Sequence, residues 1–307
     1  MNIGKERYVV SMINDAHCHF FSNRFFTALS AQRGRSQTVP DLCRELGWEP
    51  PDSPEGLAAR WIKELDSHSV GRATLMASVP GDEESVAAAI RSYPSRFVGF
   101  FMLDPSKEDA PERARRGLTE LGMRTVCLFP AMHHVSLYDD RVTRIVETVA
   151  QVSGAAIFIH CGALSVGVRQ KLGLPSHFHF RLGNPMEVSR LALAFPSVPF
   201  IIPHFGAGLF REALMAADLC PNIYFDTSSS NKWIRYTPGL TLAEAFRAAI
   251  SIAGASRILF GTDSSFYPRG WHRAIYEEQK AIVVSSHIGS ADAGLIFGGN
   301  FDRLFPK

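Results

Sequence analysis

Arg124-Thr-Val-Cys-Leu-Phe129, a periodic stretch over 139–152, and Ala155-Ala-Ile-Phe-Ile-His160 form one unit. The two flanking runs are short and apolar without polar alternation, as in strands buried on both faces. Between them Val142, Ile145, Val146 and Val149 recur at spacings of three and four, which lays an apolar stripe along a helix. Strand, helix and strand in this order imply parallel strands joined by a right-handed crossover.

The unit repeats in both directions. Apolar runs fall at 8–16, 73–79, 97–103, 198–204, 222–226 and 257–262, making eight with the two above. Helical periodicity fills 82–92, 107–121, 184–195, 206–219, 241–253 and 271–283. Asp82 and Thr241 stand at N-cap positions, and Pro111 and Pro185 in first turns. Eight strands alternating with helices predict an α/β chain folded as a single (β/α)8 TIM barrel, with residues 1–307 as one domain. The length of 307 residues exceeds the usual barrel of about 250 by its loops. Insertions at about 20–54 and 161–183, and longer connections at 227–240 and 264–271, all leave C-terminal strand ends. That face carries the active site in such barrels.

Composition excludes several classes. Lys and Arg number 32 and Asp and Glu 30, a net charge of +2, too balanced for a polybasic nucleic-acid or membrane-surface protein. With 46% hydrophobic and 20% charged residues the chain is globular rather than disordered. Its five cysteines are scattered, with no CxxC pair, and read as reduced thiols. The N-terminal run Tyr8–Ile13 is too short for a signal core or a membrane span. A soluble cytoplasmic protein with no nucleic-acid and no membrane partner is the expectation.

The first strand run leads into Asp15-Ala16-His17-Cys18-His19. Alternate strand residues share a face, so His17 and His19 project together at the barrel mouth while Cys18 packs toward the helices. Two such imidazoles can hold one divalent metal. Asp15 reads as a hydrogen-bonded carboxylate that orients a neighbour. His160, His204 and Asp263 each follow an apolar run at its C-terminal end. Histidines with one carboxylate suit zinc, with a position left for water.

Asp15-Ala-His-Cys-His19, Ile159-His160, Pro203-His204-Phe-Gly206, Phe260-Gly-Thr-Asp263 and Gly298-Gly-Asn-Phe-Asp-Arg-Leu-Phe305 together resemble the amidohydrolase superfamily. Tyr93-Pro-Ser-Arg-Phe-Val-Gly-Phe100 with Asp104-Pro105 is similar to its amidohydrolase-related, aminocarboxymuconate-semialdehyde decarboxylase-like branch. The resemblance runs from about residue 12 to 306. It implies His17, His19, His160 and Asp263 as ligands of one divalent metal, and His204 and Asp263 as catalytic groups. It also implies a structural part for Asn300 and a homodimeric assembly. Two-metal members often carry a carboxylated lysine at the fourth strand; here Cys127 and Phe129 occupy that region, which predicts a mononuclear site.

The expected reaction is hydrolysis of an amide or lactone carbonyl by metal-activated water. Alternatives are non-oxidative decarboxylation of an aromatic or unsaturated acid, and a non-catalytic metal-binding or ligand-binding barrel. The mouth loops are rich in arginine, histidine and aromatic residues. Phe21, Arg24, Arg169, His177, His179, Arg181 and Trp271 are the candidate contacts to a small, planar, anionic substrate.

Overall fold

The computed structural model describes residues 12–34, 37–228 and 232–307. The run expected over 8–16 therefore lies partly outside the described residues, as do three positions of the 227–240 connection. Among the described residues the strands are β1 (Ile13–Asp15), β2 (His19–Phe20), β3 (Val70–Ala77), β4 (Phe97–Met102) and β5 (Met123–Leu128). They continue with β6 (Ala156–Ile159), β7 (Phe200–Ile202), β8 (Ile223–Asp226) and β9 (Ile258–Leu259). All pair in parallel, in the order β1-β3-β4-β5-β6-β7-β8-β9, with β2 continuing β1 along β3. Backbone bonds close the ring between its ends: Ala16 N donates to Phe260 O (2.8 Å), His19 N to Ser264 O (2.7 Å) and Asp263 N to His17 O (2.9 Å). The result is a (β/α)8 barrel.

The first stave is not the continuous strand its apolar run implies. It bends at Ala16 between β1 and β2, both of which pair with β3 on one side, while Ala16 N and His19 N bond to Phe260 O and Ser264 O on the other. Elsewhere strand alternation sorts the core into two layers. On β5, Val126 and Leu128 pack outward beneath the helices while Cys127 faces the barrel interior with Phe100 and Phe158. Truncating an interior phenylalanine would cost about 3–5 kcal/mol in transfer and cavity terms. Cys18 sits in the outer layer with Phe20 and Trp61.

The helices are α1 (Asn23–Gln32), α2 (Val39–Leu46), α3 (Pro54–Ser67), α4 (Glu83–Ser92), α5 (Ala110–Thr119), α6 (Pro130–His133) and α7 (Asp140–Ala150). Then come α8 (Gly167–Lys171), α9 (Pro185–Ala194), α10 (Phe210–Leu219), α11 (Leu242–Ala253), α12 (Arg273–Ser285), α13 (Ser290–Gly294) and α14 (Asn300–Leu304). Thr241 closes a reciprocal capping box with Glu244 on α11, and Pro111 and Pro185 lie in first turns. Asp82 differs from expectation. Its carboxylate does not cap α4 but accepts from Ser22 Oγ (2.6 Å) and Ser85 Oγ (2.5 Å). Ser22 in turn caps α1.

Both insertions are structured. The first folds into α1 and α2 and the second carries α8, and they pack together over the mouth. Phe25, Phe26 and Leu29 of α1, Leu42 of α2 and Val168 of α8 form an apolar cluster separate from the barrel core. Among the described residues no helix is long and apolar enough to cross a membrane.

Candidate metal centre and active site

Four imidazoles and one carboxylate meet at the C-terminal mouth. The ring centres of His17 and His19 lie 5.1 Å apart, those of His17 and His204 5.1 Å, and those of His160 and His204 5.2 Å. Asp263 Oδ1 stands 3.1 Å from His19 Nε2 and 3.8 Å from His17 Nε2. One donor atom from each of His17, His19 and Asp263 falls within 4.8 Å of the others, close enough to share one ion. His160 and His204 lie beside this group rather than within it.

Each side chain is delivered by a strand end. His160 follows β6, with its backbone N–H bonded to Leu128 O on β5 (3.0 Å). His204 follows β7 in the left-handed region (φ +55°), and Asp263 follows β9 in the same region (φ +59°). Such backbone is uncommon for residues other than glycine and concentrates at functional sites. Gly162 permits the turn at His204. It has positive φ, and a Cβ there would collide with the carbonyls of Gly206 and Ala207.

Burial and charge set the protonation states. His160 and His204 are driven below their ordinary values, first by burial and then by the positive charge of neighbouring histidines. Both are neutral imidazoles near pH 7. His19 is lowered by burial, against the attraction of Asp263. Burial opposes charge on His17 too, but Asp226 and then Asp263 outweigh it and lift the metal-free side chain to about 9. Burial also disfavours the Asp263 carboxylate, yet the hydrogen bond from His19 and the charge of His17 hold it below the usual carboxylate range. Asp263 keeps 37% of its side chain exposed, against 2% for His17, so it reaches the open side of the site.

The δ-nitrogens of His17, His19 and His204 meet partners that the sequence reading left unassigned. His17 Nδ1 meets Asp226 Oδ2 at 2.6 Å and Ser228 Oγ at 2.8 Å. His19 Nδ1 meets Ser78 Oγ at 2.7 Å, and that hydroxyl donates to Met76 O (3.1 Å). His204 Nδ1 lies 3.0 Å from Ser228 O. Of these four histidines, His160 alone has its Nδ1 buried with no hydrogen-bond partner among the described residues. A buried orphan nitrogen beside a carboxylate fits a cation, which would satisfy it. Asp226 had a visible signal, since it ends its apolar run as His160 and His204 end theirs. Ser228 and Ser78 had none, because a serine beyond a strand end is unremarkable in sequence.

Asp15 behaves as an orienting carboxylate. It accepts from His17 N (2.9 Å), Thr262 N (3.1 Å), Thr262 Oγ1 (2.5 Å) and Trp271 Nε1 (2.7 Å). Burial raises it to about 6 against these bonds. Cys127 is fully buried in the barrel interior, where burial pushes its thiol well up.

The candidate substrate contacts do not assemble as a set. A cleft of about 410 Å³ opens beside Ser78, lined by Arg169 and His177 with His133, Met102, Met132 and Phe178. Arg181 lines a separate cleft with Phe180 and Tyr236. Trp271 is only 2% exposed and its indole is turned to Asp15, so it supports the β1 end rather than a ligand. Phe21 stacks on Phe25 (3.8 Å between centres) and stands 5.6 Å from the His19 ring. Arg24 is exposed and folds over Gly81, and His179 lies 6.3 Å from His134 by ring centres. Asn300 donates to Ala255 O and Ile258 O (both 2.7 Å), bracing the base of β9.

A barrel with imidazole and carboxylate donors converging at its C-terminal mouth defines a metal-dependent enzyme of the amidohydrolase type. The amidohydrolase family model matches residues 15–307, and the chain belongs to that family, whose members bind a divalent metal. No curated protein matches the sequence. Among solved structures, the 5-carboxyvanillate decarboxylase LigW from Sphingomonas paucimobilis is similar, with a TM-score of 0.64 and 17% identity over 96% of this chain and 98% of that one. LigW2 from Novosphingobium aromaticivorans, a 5-carboxyvanillate decarboxylase with bound manganese and 3-methoxy-4-hydroxy-5-nitrobenzoic acid, matches with a TM-score of 0.65 and 15% identity over 96% and 97%. A probable 2-pyrone-4,6-dicarboxylic acid hydrolase from Acinetobacter baumannii, with citric acid bound, gives 0.59 and 15% over 95% and 98%. At these identities the shared property is the fold.

Proposed function

We propose that the chain is a mononuclear metal-dependent hydrolase acting on the amide or lactone carbonyl of a small anionic substrate. The convergence of His17, His19 and Asp263 within 4.8 Å, beside the orphaned His160 Nδ1, carries this reading. His17, His19, His160 and Asp263 would hold one ion, zinc by the chemistry of the donors. That ion supplies Lewis acidity and a water acidified toward pH 7. Asp263, ionised and partly exposed, accepts the attacking water's proton and passes it to the leaving group. His204, fixed at Nδ1 by the Ser228 carbonyl, serves as a base. The cleft beside Ser78 receives the rest of the substrate, with the Arg169 guanidinium toward its carboxylate.

A second reading, decarboxylation of an aromatic or unsaturated acid, is favoured by the apolar walls of that cleft, Phe25, Leu29, Met102, Met132 and Phe178, which suit a planar ring. The decarboxylases and the hydrolase among the similar structures keep both reactions in play. The test is elemental analysis of the purified chain followed by parallel screens of lactones, amides and aromatic acids with carbon dioxide detection. About one metal equivalent per chain with hydrolysis supports the first reading. Carbon dioxide release without hydrolysis selects the second. No metal uptake on reconstitution removes both.

Two further outcomes are expected. The raised His17 stabilises the metal-free fold fully below pH 6.5, and that contribution fades as pH climbs through about 9. Binding an ion displaces that proton, so metal affinity should rise by up to about tenfold per pH unit across this window. Chelator competition at pH 6.5, 7.5 and 8.5 measures the slope, and a flat profile would contradict it. Arg169→Ala should raise KM for an acidic substrate roughly tenfold or more. Arg181→Ala, in the other cleft, should leave it nearly unchanged. Equal KM effects from the two variants would reject this placement.

A further inference from the structure

The δ-nitrogens of His17 and His204 share one small hydrogen-bonded patch, made by β8 and the two residues after it. Asp226 is fully buried and uses both oxygens: Oδ2 faces His17 Nδ1 at 2.6 Å and Oδ1 accepts Ser228 N at 2.7 Å. Ser228, also fully buried, places its carbonyl 3.0 Å from His204 Nδ1 and its hydroxyl 2.8 Å from His17 Nδ1 and 3.0 Å from His204 Nδ1.

A carboxylate and a carbonyl have no proton to give. A bare Nδ1 on His17 would place its lone pair against an anion at 2.6 Å. A bare Nδ1 on His204 would place its lone pair against the Ser228 carbonyl. With a proton on each Nδ1 all of these contacts become attractive, and the cost of leaving them repulsive in a buried site is large.

We propose that Asp226, through its carboxylate, and Ser228, through its carbonyl, are positioning residues that hold His17 and His204 as Nδ1–H tautomers. Both imidazoles then turn a bare Nε2 into the site. On His17 that nitrogen is the one beside Asp263. On His204 it is the nitrogen left to accept a proton. The inference rests on the metal-dependent reading for the purpose of His17, but the His204 tautomer stands apart from it. One short segment thus sets the ligand and the base together.

Nitrogen-15 NMR of histidine-labelled full-length chain, metal-free and loaded with zinc, reads the tautomers directly. The expected result is a proton on His204 Nδ1 in both forms, and His17 as Nδ1–H with a perturbed Nε2 in the zinc form. Neutral Nε2–H at His204, with a bare Nδ1, would overturn the proposal. Asp226→Asn should weaken zinc binding about 10–100-fold in chelator competition. Ser228→Ala keeps the carbonyl and should leave both the His204 tautomer and zinc affinity within about threefold of the native chain. Unchanged zinc affinity in the Asp226 variant overturns its assigned role, and loss of the Nδ1–H signal in Ser228→Ala shows that the hydroxyl, not the carbonyl, fixes His204. Should Asp226→Asn not fold, the native spectra carry the test. Failure of the native chain to bind zinc or manganese would instead remove the metal-dependent reading and leave the His204 result in place.

Discussion

Asp263→Asn should lower turnover about 10²–10⁴-fold, the usual contribution of a positioned acid–base group, while the barrel survives. The substitution isolates the chemistry because the backbone can accept it. Asp263 sits at φ +59°, a conformation asparagine adopts more readily than most residues, and its N–H bond to His17 O at 2.9 Å closes the ring between the ends of the sheet. Alanine would add backbone strain to the loss of the carboxylate and confuse the two. What asparagine removes is the negative charge beside the His17 and His19 ε-nitrogens, together with an acceptor that stays ionised at neutral pH. Turnover measured on whichever substrate the screens reveal, with thermal unfolding and metal content in parallel, checks this. Near-native turnover in a folded, metal-loaded variant would remove Asp263 from the reaction.

Gly261→Ala is the second large effect, and it requires no change to a polar residue. A Cβ at this position would lie 2.7 Å from Asp226 Oδ1, 2.9 Å from His17 Cβ and 3.0 Å from Ser228 Cβ. None of these can retreat cheaply. Asp226 is held by His17 and Ser228, and the glycine's own strand end is tied by Phe260 N to Ile296 O (3.0 Å), Ala16 N to Phe260 O (2.8 Å) and Thr262 N to Asp15 Oδ1 (3.1 Å). Overpacking of this kind costs about 1–3 kcal/mol. It should also splay the His17–Asp226 pair and lower metal affinity more than its stability cost alone would suggest. Gly294→Ala, in the helix Ser290–Gly294 with nothing within 4 Å of its added carbon, is the control and should be neutral or stabilising by about 1 kcal/mol. Equal metal affinity in Gly261→Ala and the native chain would show that the pair can relax.

Much of this was legible in the chain itself. The apolar runs and the three-and-four spacing between them specify parallel strands and their helices, because burial on both faces demands continuous apolar strands and burial on one face demands a stripe. Placing His17, His19, His160, His204 and Asp263 at run ends then locates them at one mouth, since all strands of a parallel barrel end on the same side. The bend that splits the first stave was not legible, because it falls where bonds to the distant segment after β9 close the ring, and no local periodicity marks that point. Nor was the separation of Arg169 from Arg181, or the turn of Trp271 toward Asp15. Both sit in long connections, where no periodicity constrains direction.

The sequence by itself determined the barrel, the face that carries the site and the residue types that meet there, for these follow from local periodicity and from the common polarity of parallel strands. Only the tertiary structure decided which nitrogens face inward. That choice depends on Asp226, Ser228 and Ser78, which lie 24 to 211 residues from the histidines they hold and touch them only when the ring closes.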